Sequence, residues 1–199
     1  EKLIAQGVKA TVIACNTASS AAGEYLREKY PQLPIIAIEP ALKPAVLSQK
    51  HGTVLVLATA ATLREHKFQH LMKLYEDQAE ILDFACPEIV EAVEQGAIDS
   101  PALRASLTKR FAAVRDRGVR SIVLGCTHYP FVRRMIQEIA GPEVGIFDGA
   151  AGTARQLARQ LEDWNLLRAA GRQGKISWQN SSSDPALLEL SRKLFTLPE

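Results

Sequence analysis

Two textures alternate along this chain. Short, mostly apolar runs rich in Val, Ile and Leu lie at 11–15, 34–39, 53–59, 79–85, 121–124 and 144–148. Runs of this length, apolar at consecutive positions, read as strands covered on both faces. The segments between them repeat apolar residues every three or four positions, the spacing of helices with one buried face. Helices are expected at 17–30, 41–49, 89–95, 130–139 and 153–164. Two further helices carry clear start signals. Thr62 is expected to cap one running through Tyr75, with Phe68, Leu71, Met72 and Tyr75 on one face. Ser100-Pro101 opens the other, striped by Leu103, Leu107, Phe111 and Val114.

Strand–helix alternation of this kind implies α/β architecture with a parallel, doubly covered sheet. In such sheets ligands bind beyond the carboxyl ends of the strands. Cys15, Glu39, Thr59, Cys126 and Asp148 all fall at those ends. After Trp164 the texture changes: 169–174 reads as a turn, 175–179 as a strand, and Ser183-Asp184-Pro185 as the start of a last amphipathic helix through Phe195. At the other end, 1–7 resembles the closing turns of a helix stopped by Gly7, so the natural amino terminus is expected to precede Glu1.

The strongest repeat is chemical. Ala14-Cys15-Asn16-Thr17 and Gly125-Cys126-Thr127-His128 each follow an apolar run, 111 positions apart, as two similar α/β halves would give. Each delivers a thiol to the mouth of the next helix, where unpaired N–H groups and the helix dipole favour a thiolate. One such site suggests a nucleophile; two related sites suggest a pair of bases facing one substrate. The plainer alternative is a buried cysteine with ordinary capping neighbours, and a helix-start histidine turned to solvent. Cys86-Pro87 lacks any polar escort and reads as structural.

Composition narrows the partners. The 199 residues are 47% hydrophobic and 23% charged, with a net charge of +2. Interspersed charges of both signs argue against a nucleic-acid surface or an anionic membrane. No apolar run approaches the ~18 residues of a membrane span. Three cysteines are too few for a disulfide scaffold, so reduced, cytoplasmic thiols are expected. Zinc spacing and nucleotide-binding glycine motifs are both missing, so no metal is expected and nucleotide binding has no positive support. Thr59 and Thr62 flank a strand-to-helix turn and suit either anion binding or plain capping.

The two cysteine motifs resemble the signatures of the bacterial glutamate racemase family. Glu39-Pro40, Cys86-Pro87 with Val90, Val93, Glu94 and Gly96, and Asp148 with Thr153-Ala154-Arg155 extend the likeness across 8–155. The resemblance implies two similar parallel-sheet α/β domains with the active site between them, the first incomplete: 1–39 plus 149–199, and 40–148. It implies cofactor-independent racemisation of glutamate by two thiols, Cys15 acting on the D- and Cys126 on the L-enantiomer. Asn16, Thr17, Thr62 and Thr127 would grip the substrate. His128 would assist Cys126, and Glu94 would support His128 or the substrate ammonium. Glutamate would be the small-molecule partner, D-glutamate would feed peptidoglycan synthesis, and a homodimer is one assembly the resemblance permits. Neighbouring readings are a racemase of aspartate or another small acid, a cysteine-nucleophile hydrolase, and a silent fragment of the racemase.

Three substitutions depart from the family pattern. Ala58-Thr59-Ala60-Ala61-Thr62 keeps two threonines but lacks the glycines of Gly-Thr-x-Gly-Thr; Glu91 stands for a common proline, and Gly149 for a common serine. The family's opening Asp-Ser segment and its Pro-Tyr-Gly loop are not found in these residues.

Overall fold

The computed structural model describes residues 1–48, 52–169 and 174–197. Gln49 and residues 170–173 of the expected turn lie outside them. A one-turn helix, α1 (Lys2–Ala5), leads to β1 (Thr11–Ile13), α2 (Asn16–Lys29), β2 (Ile35–Ala37) and α3 (Leu42–Ser48). Then come β3 (Thr53–Ala58), α4 (Ala60–Arg64), α5 (His66–Lys73), β4 (Ile81–Ala85), α6 (Pro87–Glu94) and α7 (Pro101–Ala112). The chain continues through β5 (Val119–Leu124), a 3₁₀ turn (Tyr129–Val132), α8 (Arg133–Ala140), β6 (Gly145–Asp148), α9 (Ala150–Asp163) and α10 (Pro185–Phe195).

These strands form two parallel sheets, a two-stranded β1-β2 and a four-stranded β4-β3-β5-β6. The larger sheet explains the apolar runs. Side chains alternate across a strand, so one run feeds two cores. Leu55, Leu57, Ile122 and Leu124 face Ile89, Val93, Leu107 and Ile136. Val54, Val56, Ala58 and Val123 face Leu42, Val46, Leu63 and Phe68 on the other side. Every residue of β3 is buried. In β1 the expectation of two covered faces fails: Val12 is 38% exposed. Among the described residues β1 pairs with β2 alone, so one of its edges carries no strand.

Other departures have local causes. The helix expected from Thr62 to Tyr75 is two helices, broken where Glu65 adopts an extended backbone (φ −66°, ψ 129°). Its cap is Thr59, whose Oγ1 accepts the Thr62 N–H at 3.1 Å, and Thr62 lies inside the first turn. Gln69 Nε2 donates to the Leu63 carbonyl at 2.5 Å, satisfying an acceptor freed by the break. α9 starts three residues before Thr153, because Asp148 Oδ1 accepts the Ala150 N–H at 2.8 Å. Residues 175–179 form no strand. By contrast, Ser100 caps α7 through the Leu103 N–H at 3.2 Å, as read from sequence. The last helix packs Leu194 against the core of the larger sheet. No helix among the described residues is long and apolar enough to cross a membrane.

Candidate active site

Cys15 occupies the cap position of α2 with an extended backbone, φ −107° and ψ 122°. The turn is held by the Ser19 N–H donating to the Cys15 carbonyl at 2.8 Å and by Ser19 Oγ donating to the Ile13 carbonyl at 3.0 Å. The Cys15 thiol is free and exposed. Its neighbour Asn16 is 6% exposed, and Asn16 Oδ1 is buried without a hydrogen-bond partner among the described residues. A buried acceptor left unpaired is costly, and a ligand donor would remove that cost.

The second cysteine is delivered by β5. A Cβ at Gly125 would lie 2.9 Å from the Leu57 carbonyl oxygen, so only glycine lets the end of β5 sit this close to β3. Cys126 then turns directly into a 3₁₀ segment rather than a regular helix, its carbonyl accepting the Tyr129 N–H at 3.1 Å. Tyr129 is fully buried, with its hydroxyl 3.0 Å from the carbonyl oxygens of both Ala58 and Cys86. Burial pushes the Cys86 thiol up to about 12, which keeps it protonated and unreactive.

Around Cys126 three groups stand in line. Its Sγ lies 3.6 Å from His128 Nδ1, and His128 Nε2 lies 2.5 Å from Glu94 Oε1. The hydrogen bond to Cys126 is the leading cause that raises His128 to about 9; Glu94 adds to it, and partial burial opposes both. The imidazole therefore carries its second proton at neutral pH, beside the sulfur. Hydrogen bonds linked in series like this polarise one another.

A cavity of about 350 Å³ opens where the two sheets approach, and Asn16, Cys126, Thr127, Asp148 and Thr153 supply its polar wall. Val12, Ile38, Leu124 and Leu157 supply the apolar wall. Cys126 and Thr127 thus share one cavity with Asn16, whereas the exposed Cys15 thiol is not part of its lining. Asp148 is fixed by an ion pair with Arg133, whose Nη1 also donates to the Ile146 carbonyl at 3.0 Å. Gly149 closes the wall: a Cβ there would lie 2.5 Å from the Glu39 carbonyl oxygen. Glu39 itself points its carboxylate to Lys67, 4.0 Å away. Among the described residues no three His, Cys, Asp or Glu side chains cluster as metal ligands.

The structure also gathers three threonines. Thr17 Oγ1 lies 2.8 Å from Thr62 Oγ1 and 3.3 Å from Thr59 Oγ1, and Thr59 and Thr62 are 2.9 Å apart. Thr17 and Thr62 were expected at the site; neither lines the cavity of Cys126, and the meeting of their hydroxyls was not expected. Their separation of 45 residues leaves no local pattern to find. Asp148 and Thr153 belong to the cavity wall without having been picked as substrate ligands; the strand-end position of Asp148 was the available signal.

The Asp/Glu/hydantoin racemase family description matches residues 1–157. A glutamate racemase of Clostridium perfringens is 47% identical over 197 residues, which span 99% of this chain and 76% of that protein. The structure is similar to that of glutamate racemase from Francisella tularensis in complex with D-glutamate, with a TM-score of 0.71 and 26% identity. That match covers 85% of this chain and 63% of the Francisella chain, so this chain spans less than two thirds of it. Escherichia coli glutamate racemase, in complex with L-glutamate and the activator UDP-MurNAc-Ala, gives a TM-score of 0.74 at 26% identity, over 92% of this chain and 70% of that one.

Proposed function

The chain belongs to the Asp/Glu/hydantoin racemase family, and on that footing we propose that it interconverts L- and D-glutamate by moving the α-proton between two thiols. The observation that carries the proposal is the alignment of Glu94 and His128 behind Cys126, which shares a cavity with Asn16. Similarity to proteins named glutamate racemase supports glutamate as the substrate.

The chemistry requires two bases on opposite faces of one carbon. With L-glutamate bound, the Cys126 thiolate removes the α-proton. The Cys15 thiol delivers a different proton to the other face, and D-glutamate leaves with the thiol and thiolate exchanged. The reverse direction starts at Cys15. A thiol suits both roles because its acidity can be matched to working pH, where proton transfer is most efficient. His128, protonated below about pH 9, stabilises the Cys126 thiolate by a charged hydrogen bond, and Glu94 holds the imidazole in place. Negative charge growing at the α-carbon and its carboxylate needs donors already in position. Asn16, Thr17, Thr62 and Thr127 are assigned to that grip. The two thiols supply both proton steps, so the reaction is assigned no cofactor and no metal.

The same proposal divides the chain into two units, 1–39 with 149–199 and 40–148, with the site between them. It places the protein in the cytoplasm, gives it the task of supplying D-glutamate to peptidoglycan, and allows a homodimer. Incubation with pure L-glutamate, followed by chiral chromatography, tests the activity. The expected result is a mixture approaching equal L- and D-glutamate; L-glutamate recovered unchanged would overturn the reading.

A further inference from the structure

A second cavity lies across Asn16 from that of Cys126. It holds about 260 Å³ between α2, the end of β2 and α5. Asn16 and Ile38 line both cavities and so form the wall between them. Apart from Asn16 and Thr62, no residue around this second cavity has a task in the mechanism above.

Phe68 and Leu71 on α5, with Ile38 and Pro40 after β2, make most of its lining apolar. Glutamate does not suit it, because its charges would lose water against these side chains. A cavity of this size and lining fits a compact apolar ligand of roughly six to ten non-hydrogen atoms. The charged groups at the mouth are already matched: Lys67 Nζ lies 4.0 Å from Glu39 Oε1, with both side chains at least half exposed. A pair so exposed contributes little, so it neither demands a charged ligand nor bars entry. Inside, one polar group is unmatched. Asn16 Oδ1 is buried and has no hydrogen-bond partner among the described residues. The grip assigned to Asn16 uses the amide N–H groups, the donors, and leaves this acceptor unpaired.

We propose that this cavity is an effector site for a small, neutral, largely apolar molecule, aromatic or branched, that carries one N–H or O–H donor. Its apolar body packs against Ile38, Phe68 and Leu71, and a small turn of the Asn16 side chain lets Oδ1 accept its proton. The oxygen and nitrogen of an amide point to different sides. Fixing the oxygen in this cavity therefore aims the NH2 group across the wall, toward the cavity of Cys126. The occupant orders the substrate grip and bridges the two sheets through α2 and α5. The effect on glutamate rests on the racemase reading; the binding does not.

Indole, a flat apolar molecule with a single N–H donor, is the probe, and 1-methylindole, the same body without the donor, is its control. Calorimetric titration of the full chain should give a Kd for indole of about 1 mM or tighter. The control should bind about two- to tenfold more weakly, the span of one lost hydrogen bond. Leu71→Trp, which fills the cavity from α5, should weaken indole about tenfold or more. If that variant does not fold, Leu74→Trp takes its place, at a lining position that is 58% exposed. In steady-state racemisation, saturating indole should lower KM for glutamate about two- to tenfold, with a smaller change in kcat. Absence of indole binding overturns the proposal, as does binding that the tryptophan variant leaves unchanged or that the two probes share equally. An unchanged KM overturns the effector role, and a raised KM overturns it too, marking a competitor in the substrate's own cavity. A wild type that binds indole as described but racemises nothing instead overturns the reading beneath.

Discussion

His128 Nε2 and Glu94 Oε1 are 2.5 Å apart although 34 residues separate them in sequence. The contact joins the end of α6 to the turn after β5, and it makes the histidine a bridge between an acid and a thiol. Glu94→Gln keeps the shape of the bridge and removes its charge. The imidazolium, held up to about 9 in the protein, then loses its proton at lower pH. Activity of E94Q should therefore fall on the alkaline side at lower pH than activity of the wild type, as a pH profile of kcat would register.

The same group links stability to pH. His128 has an ordinary value of 6.5 and rises to about 9 on folding. A raised value means that the folded state holds its proton more tightly than the unfolded chain does. The resulting stabilisation is fully present below about pH 6.5 and is lost as pH climbs through about 9. Thermal midpoints measured at pH 6 and pH 9.5 should differ more for the wild type than for H128N, which has no such proton to lose.

Gly149 marks a point of contact between the end of β2 and the start of α9. With a would-be Cβ 2.5 Å from the Glu39 carbonyl and 2.8 Å from Ile38 Cγ1, the backbone must shift to admit a side chain. Gly149→Ser should destabilise the protein by about 1–3 kcal/mol, the usual cost of overpacking, visible as a lower urea midpoint. It should also disturb the cavity wall that Gly149 shares with Cys126.

Tyr129 anchors the turn that carries Cys126. Tyr129→Phe removes one hydroxyl proton shared by the Ala58 and Cys86 carbonyls, which keep the Cys86 and Ile89 N–H groups as donors, and should cost about 0.5–1.5 kcal/mol in chemical denaturation. Because the ring still fills its pocket, the fold should survive and the loss should be larger in kcat than in KM.

Much of this was legible in the residues, for reasons that the structure makes concrete. β3 and β5 were plain because these central parallel strands carry consecutive apolar residues, 54–58 and 122–124, and α7 because Ser100, Pro101 and the Leu103–Leu107 stripe agree. The two cysteines stood out through repetition rather than periodicity. What stayed hidden depends on contacts distant in sequence. Nothing near Glu65 announces the break between α4 and α5, and nothing near Thr17 announces Thr59 or Thr62. Val12 was read as covered, but its strand has a neighbour on one side only among the described residues. The strand expected at 175–179 does not form, and those residues pair with neither sheet.

The central claim is that each thiol serves one face of the α-carbon. Proton NMR of D- and L-glutamate in deuterated buffer tests it directly, with the wild type, Cys15→Ser and Cys126→Ser compared side by side. The wild type should erase the α-proton signal starting from either enantiomer. Each serine variant should convert one enantiomer into the other about 10²–10⁴-fold more slowly, the usual worth of a positioned acid or base. Full racemisation by either serine variant, or a wild type that leaves both α-proton signals intact, would contradict the account.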